Sequence, residues 1–149
     1  MSSSLRSAAA FSVLALSLAF TAGCRAPRIP QPPQVTTAGL RIDVISCVNN
    51  VRSQRIDARV RIWNDYEGKL KFDQGNVRLL YNGREVAAKA SWRNPKAEVR
   101  AKSNSDWTWY FEVGETPIPG NYQIEIRDLM LEDGMLGETA AFAINLGER

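Results

Sequence analysis

Arg55-Ile56-Asp57-Ala58-Arg59-Val60-Arg61-Ile62-Trp63-Asn64 decides the fold of this 149-residue chain. Apolar Ile56, Ala58, Val60 and Ile62 alternate with charged Arg55, Asp57, Arg59 and Arg61. A period of two sends successive side chains to opposite faces, which predicts a half-buried strand and not an amphipathic helix. In this phase Trp63 shares the outward face with Arg55, Arg59 and Arg61. An exposed Trp beside guanidinium groups is a candidate surface for stacking a sugar or anchoring a partner protein. The competing expectation is that Trp63 folds over a loop or stacks on an arginine of its own.

The alternation recurs on both sides of this stretch. Upstream, Ile42 and Val44 alternate with Arg41 and Asp43. Downstream, Val77, Leu79 and Tyr81 lead into Asn82-Gly83, two residues that tolerate positive φ and predict a tight hairpin. Val86, Ala88, Ala90 and Trp92 follow, then a break at Asn94-Pro95 and a short piece with Val99 and Ala101. Trp107, Trp109, Phe111 and Val113 alternate with Thr108, Tyr110 and Glu112. Turns at Pro117–Gly120 and Asp133-Gly134 bracket Tyr122, Ile124 and Ile126, and Ala140, Phe142, Ile144 and Leu146 close the pattern. Seven or eight short strands without a useful helix predict an all-β, two-sheet antiparallel sandwich, with a small β-barrel as the alternative. Trp92, Trp107 and Trp109 run in phase with apolar neighbours and are expected in the core.

The amino-terminal region carries a different signal. Arg6 is followed by an uncharged apolar run from Ala8 to Ala22 and by Leu18-Ala19-Phe20-Thr21-Ala22-Gly23 before Cys24. This is the layout of a signal peptide, too short and wrongly flanked for a spanning helix. The box before Cys24 resembles the cleavage site of bacterial lipoproteins: Ala22 and Gly23 match, while Thr21 stands where Leu is usual. The resemblance implies lipidation of Cys24. Two or more acyl chains, at about 0.8 kcal/mol per buried methylene, make such an anchor stable. Plain secretory cleavage is the alternative. Arg25 occupies the place where Asp would be an inner-membrane retention signal, so the resemblance leans towards an outer membrane, facing the periplasm, in a two-membrane organism.

Three regions follow: a signal peptide over 1–23, a lipidated cysteine and stalk over 24–39, and a β domain over 40–149. Residues 25–39 hold four of the seven prolines and predict an extended, semi-rigid spacer. At roughly 3.1 Å per residue it spans up to about 45 Å. The 126 residues left after cleavage suit one domain. Cys47 is the only other cysteine; with Cys24 acylated it is an inert core thiol, and without lipid a Cys24–Cys47 disulfide is open to it.

Charge is divided along the chain. Residues 41–102 hold 14 Lys/Arg against 7 Asp/Glu, and residues 103–149 hold 2 against 9. The two blocks are expected to pair with each other more than to recruit a partner, and nucleic acid is not expected as one. The chain has no histidine, which removes Ser-His-Asp and Cys-His catalysis and the commonest zinc ligand. No nucleotide-binding glycine loop or EF-hand spacing occurs. Neither an enzyme nor a cofactor or metal is expected.

Ile62-Trp63-Asn64, Leu79-Leu80-Tyr81-Asn82-Gly83, Trp109-Tyr110-Phe111 and Gly120-Asn121-Tyr122, behind the lipidation box, together resemble the small immunoglobulin-like domains of bacterial lipoproteins. The resemblance covers about residues 40–147 and implies a non-catalytic domain that binds or supports other envelope components. A contact with another envelope protein is the first expectation. Binding of cell-wall or surface polysaccharide through Trp63, Arg55, Arg59 and Arg61 is the second.

Overall fold

The computed structural model describes residues 34–37, 39–90, 96–132, 134–136 and 139–147; Cys24, the segment before it and Trp92 lie outside these. Its strands are β1 (Gln34–Thr37), β2 (Leu40–Asn50), β3 (Arg55–Asn64), β4 (Leu70–Asp73), β5 (Val77–Tyr81), β6 (Arg84–Ala87) and β7 (Lys89–Ala90), followed by β8 (Lys96–Val99), β9 (Ser103–Glu112), β10 (Gly120–Ile126), β11 (Met130–Leu131), β12 (Gly134–Met135) and β13 (Ala140–Leu146). A single 3-10 turn, Gln74–Asn76, separates β4 from β5. No α-helix occurs among the described residues. The strands form open antiparallel sheets, so the fold is the sandwich and not the barrel.

One layer is a five-stranded sheet in the order β1-β2-β3-β9-β7. The other consists of two four-stranded ladders, β13-β10-β5-β6 and β12-β11-β4-β8. These ladders run on from each other lane by lane, because β4 leads through the 3-10 turn into β5 and β10 leads through Arg127–Leu129 into β11. The break is laced by Arg127 N donating to Asn76 O at 3.3 Å and Asn76 Nδ2 donating to Asp128 Oδ2 at 2.7 Å. The described residues thus form thirteen strands where the alternation predicted seven or eight. β1 pairs with β2 and lies in the stretch read above as spacer, so the folded domain starts upstream of Leu40.

Between the layers lies one apolar core. From β3 it takes Ile56, Ala58, Val60 and Ile62, and from β9 Trp109 and Phe111. Leu79 and Tyr81 of β5, Ile124 and Ile126 of β10, and Phe142 and Ile144 of β13 face them. Phe72 meets Trp107 and Trp109 edge-on, with centroids 5.6 and 6.4 Å apart, and so joins the β4 ladder to the five-stranded sheet. Trp109 is fully buried as expected; Trp107 is only half-buried at the margin of the core.

Two local devices set the details. In β2, Val44 pairs with Val60 and Ser46 with Arg59, leaving Ile45 as an inserted bulge residue. The bulge reverses the phase of β2, so Cys47 stands opposite buried Ala58 and packs against the core. Burial, with the Asp57 carboxylate adding to it, pushes the Cys47 thiol up to about 12, far from a reactive thiolate. At the other margin, β6 pairs with β5 while β7, one residue later, pairs with β9. One strand thus changes layers and closes that corner of the sandwich.

Candidate interaction face

Because Ile56, Ala58, Val60 and Ile62 point into the core, the alternate residues of β3 build the outer face of the five-stranded sheet. Register places their neighbours. Trp63 lies between Arg41 and Asn104, Arg61 between Asp43 and Asp106, and Arg59 between Ser46 and Thr108. Asp57 lies between Val48 and Tyr110, and Arg55 between Asn50 and Glu112. The four residues singled out from the sequence, Trp63, Arg55, Arg59 and Arg61, therefore share one face. Arg41, Asp43, Asp106 and Tyr110 complete it and were not anticipated, since cross-strand register is not written in any one strand.

Each group on the face is held by another. Asp106 takes two guanidiniums: Arg59 Nη2 donates to Oδ2 at 3.0 Å, and Arg61 donates from Nε to Oδ1 at 2.6 Å and from Nη2 to Oδ2 at 3.1 Å. The Arg61 hydrogen bond, opposed by some desolvation and assisted by Arg59, holds the Asp106 carboxyl below its ordinary range. Arg55 pairs with Asp57 at 2.8 Å while its guanidinium lies 4.5 Å from the Tyr110 ring centroid. Trp63 Nε1 donates to Asp43 Oδ2 at 2.6 Å, and the Arg41 guanidinium covers its ring at 4.3 Å. Trp63 is thus half-buried, tied at its N–H and covered by an arginine, as in the competing expectation above. At the sheet edge Lys89 meets Glu112 at 2.6 Å.

The charge blocks close on one another in part, while Arg41–Asp43, Arg55–Asp57, Lys69–Glu98 and Lys102–Glu67 pair within the basic stretch. Arg59 and Arg61 reach Asp106, Arg84 reaches Glu115 at 2.7 Å, and Lys89 reaches Glu112, each joining the basic stretch to the acidic one. Solvent screens such pairs, so they orient side chains more than they stabilise the domain.

At one end of the sandwich, Pro117-Ile118-Pro119 is pinned from three strands. Asn49 Nδ2 donates to Pro117 O at 2.9 Å, Ile118 N donates to Tyr81 Oη at 3.0 Å, and Tyr122 Oη donates to Ile118 O at 2.9 Å. The Tyr81 and Tyr122 rings lie 4.8 Å apart beneath the turn. Tyr81→Phe strips the Ile118 amide of its acceptor, and we expect it to lower the unfolding free energy by about 1–2 kcal/mol in urea titration.

No residue cluster among those described has the composition to hold a metal ion. A groove of about 620 Å³ lies at the β4–β8 ladder, lined by Phe72, Ala97, Lys71, Glu98 and Met130 among others. Its charged groups face each other across the strands, Lys71 opposite Glu98 and Asp73 opposite Lys96.

No family model matches the chain, and no curated protein matches it. Among solved structures, it is similar to a Bacillus subtilis protein described as a candidate lipoprotein (ycdA), with a TM-score of 0.56 and 9% identity. The match covers 78% of this chain and 39% of that one, so the chain spans about two fifths of its neighbour's length. The yjhA protein of Bacillus subtilis matches at a TM-score of 0.45 and 9% identity over 64% of this chain and 76% of that one. At 9% identity the first likeness shows a shared fold over the matched residues.

Proposed function

We propose that this chain is a non-catalytic, lipid-anchored protein of the bacterial cell envelope, whose β-sandwich contacts another envelope protein. The observation that carries the reading is the spacing at the amino terminus. A lipidation box ends at Cys24, a proline-rich stretch follows, and the first strand of the sandwich opens at Gln34. Lipid, short spacer and folded domain thus succeed one another without room for a further unit between them. The shared fold of the Bacillus subtilis candidate lipoprotein supports the same assignment. Arg25 after the cysteine favours the outer membrane, facing the periplasm, where two membranes exist. Polysaccharide binding gains no support from the face, because a sugar stacking on Trp63 would have to displace Arg41.

The anchor is tested by fatty-acid labelling of the full-length chain in growing cells. The wild type is expected to take label and to sediment with membranes. Cys24→Ser is expected to lose both label and sedimentation. Label persisting on the Cys24→Ser variant would overturn the assignment.

A further inference from the structure

We propose that the outer face of the five-stranded sheet is a preorganised guanidinium platform that docks a carboxylate-bearing segment of a protein partner. The proposal rests on the partner-contact reading above and adds to it the face and the chemistry of the partner.

The side chains of Arg41, Arg55, Arg59 and Arg61 are 34 to 51% exposed, while those of Asp43, Asp57 and Asp106 are 22 to 27% exposed. In each pair the guanidinium is the more exposed partner. An approaching molecule therefore meets guanidinium N–H groups first, although the charges nearly balance in number. Charge complementarity selects an acidic partner.

Four of the five described lysines, Lys69, Lys71, Lys96 and Lys102, lie on or beside the β4–β8 ladder, whereas the β2-β3-β9 part of this face uses arginine with Trp63 and Tyr110. Arg, Trp and Tyr are enriched at interface centres, and Lys and Glu are depleted there. Arginine also grips a carboxylate with a planar fork that lysine lacks.

Asp106 holds Arg59 and Arg61 together, Asp57 and the Tyr110 ring hold Arg55, and the Trp63 ring holds Arg41. Side chains already fixed in place lose little freedom on binding, which is the source of affinity in a preorganised surface. A protein partner fits better than an anionic membrane. Aspartates set among the arginines repel a continuous sheet of headgroups, but they suit a surface with separate acceptors and donors.

The experiment places a photo-reactive phenylalanine analogue at position 108, beside Arg59, or at position 141, on the outer face of the opposite layer. The full-length protein is crosslinked in its own envelope, and the linked peptide is sequenced. We expect a protein adduct at 108, mapped to an Asp/Glu-rich peptide, and none at 141. Asp106→Asn is the discriminating variant, because it makes the face more positive while releasing Arg59 and Arg61. Preorganisation predicts that the adduct falls roughly tenfold in this variant with the melting temperature nearly unchanged, whereas plain attraction of charges predicts a rise. An unchanged or stronger adduct in Asp106→Asn overturns the proposal, as does a neutral or basic peptide, a glycan, or tighter binding of that variant to vesicles rich in phosphatidylglycerol. A protein adduct at 141 alone overturns the face but leaves the partner-contact reading standing. No protein adduct at either position, nor at positions spread over the remaining surface, overturns both.

Discussion

Replacing Asn64 by alanine lowers the unfolding free energy by about 3–4 kcal/mol, because one buried side chain meets four backbone groups from two other segments, its two Nδ2 hydrogens shared among three carbonyls. Its Nδ2 lies 2.9 Å from Gly68 O, 3.0 Å from Val99 O and 3.1 Å from Arg100 O, and its Oδ1 accepts from Tyr66 N at 3.0 Å. Asn64 is fully buried at the end of β3. It therefore ties the five-stranded sheet to the loop entering β4 and to the exit of β8. Alanine leaves those carbonyls facing a cavity without a donor, at a cost of about 1–3 kcal/mol for each group that water cannot reach. For a domain of this size the loss corresponds to roughly 15–20 °C in melting temperature. Urea unfolding at constant slope is the measurement. Asn64→Asp adds a second check, with a sign. It keeps the acceptor for Tyr66 but turns a carboxylate towards three carbonyls, which raises the carboxyl's folded pKa above its unfolded value. Its deficit against the wild type should therefore grow as pH rises from about 4 to 7. A deficit that does not change with pH would mean that the three carbonyl contacts are not made in solution.

Asn64 also shows where sequence reasoning stops. Its position at the strand's end was legible, since the alternation from Ile56 to Ile62 carries an inward phase to residue 64. Its role was not, because its partners Val99 and Arg100 lie more than thirty residues away and meet it only through sheet pairing. The same limit explains the outer face. Period two placed Trp63, Arg55, Arg59 and Arg61 together correctly, since this needs only one strand. That Asp106 would sit opposite Arg61, and Arg41 beside Trp63, depends on register between strands, which is set by the whole hydrophobic pattern and by bulges.

The bulge at Ile45 is the clearest single case. Strict alternation from Ile42 and Val44 would carry Ser46 and Val48 inward and Cys47 outward. The inserted residue reverses this: Cys47 packs on the core, as the apolar character of its segment suggested and the alternation did not, and Val48 is 45% exposed. An apolar run such as Val44-Ile45-Ser46-Cys47-Val48 contains no residue that marks the insertion. The layer change between β6 and β7 was hidden for a similar reason, because Val86, Ala88 and Ala90 keep one phase while the pairing partner changes from β5 to β9. Local chemistry was legible where it acts within a few residues, as at Asn82-Gly83, whose φ values of 48° and 78° suit the two-residue turn.

Trp109→Ala is expected to cost about 3–5 kcal/mol, as large a loss as any single core truncation in this domain. Trp109 is fully buried, and its register partner on β3, Ala58, is small and fully buried. Ala58 cannot extend into the space that the indole leaves, so the cavity persists and the Phe72 ring loses an edge-on contact. The half-buried Trp107 supplies the comparison within the same strand. Trp107→Ala should cost distinctly less, about 1–2 kcal/mol, because solvent already reaches one side of it. Trp109→Phe separates volume from polarity. The indole Nε1 is buried without a protein acceptor, so phenylalanine removes contact area and also removes an unpaired donor. These effects oppose each other, and the net cost should stay near 1 kcal/mol. Urea midpoints for the three variants give the ordering Trp109→Ala, then Trp107→Ala, then Trp109→Phe at or below it. If Trp109→Phe proves as damaging as Trp109→Ala, the indole N–H has an acceptor in solution and the core around Phe72 is packed differently from the arrangement described above.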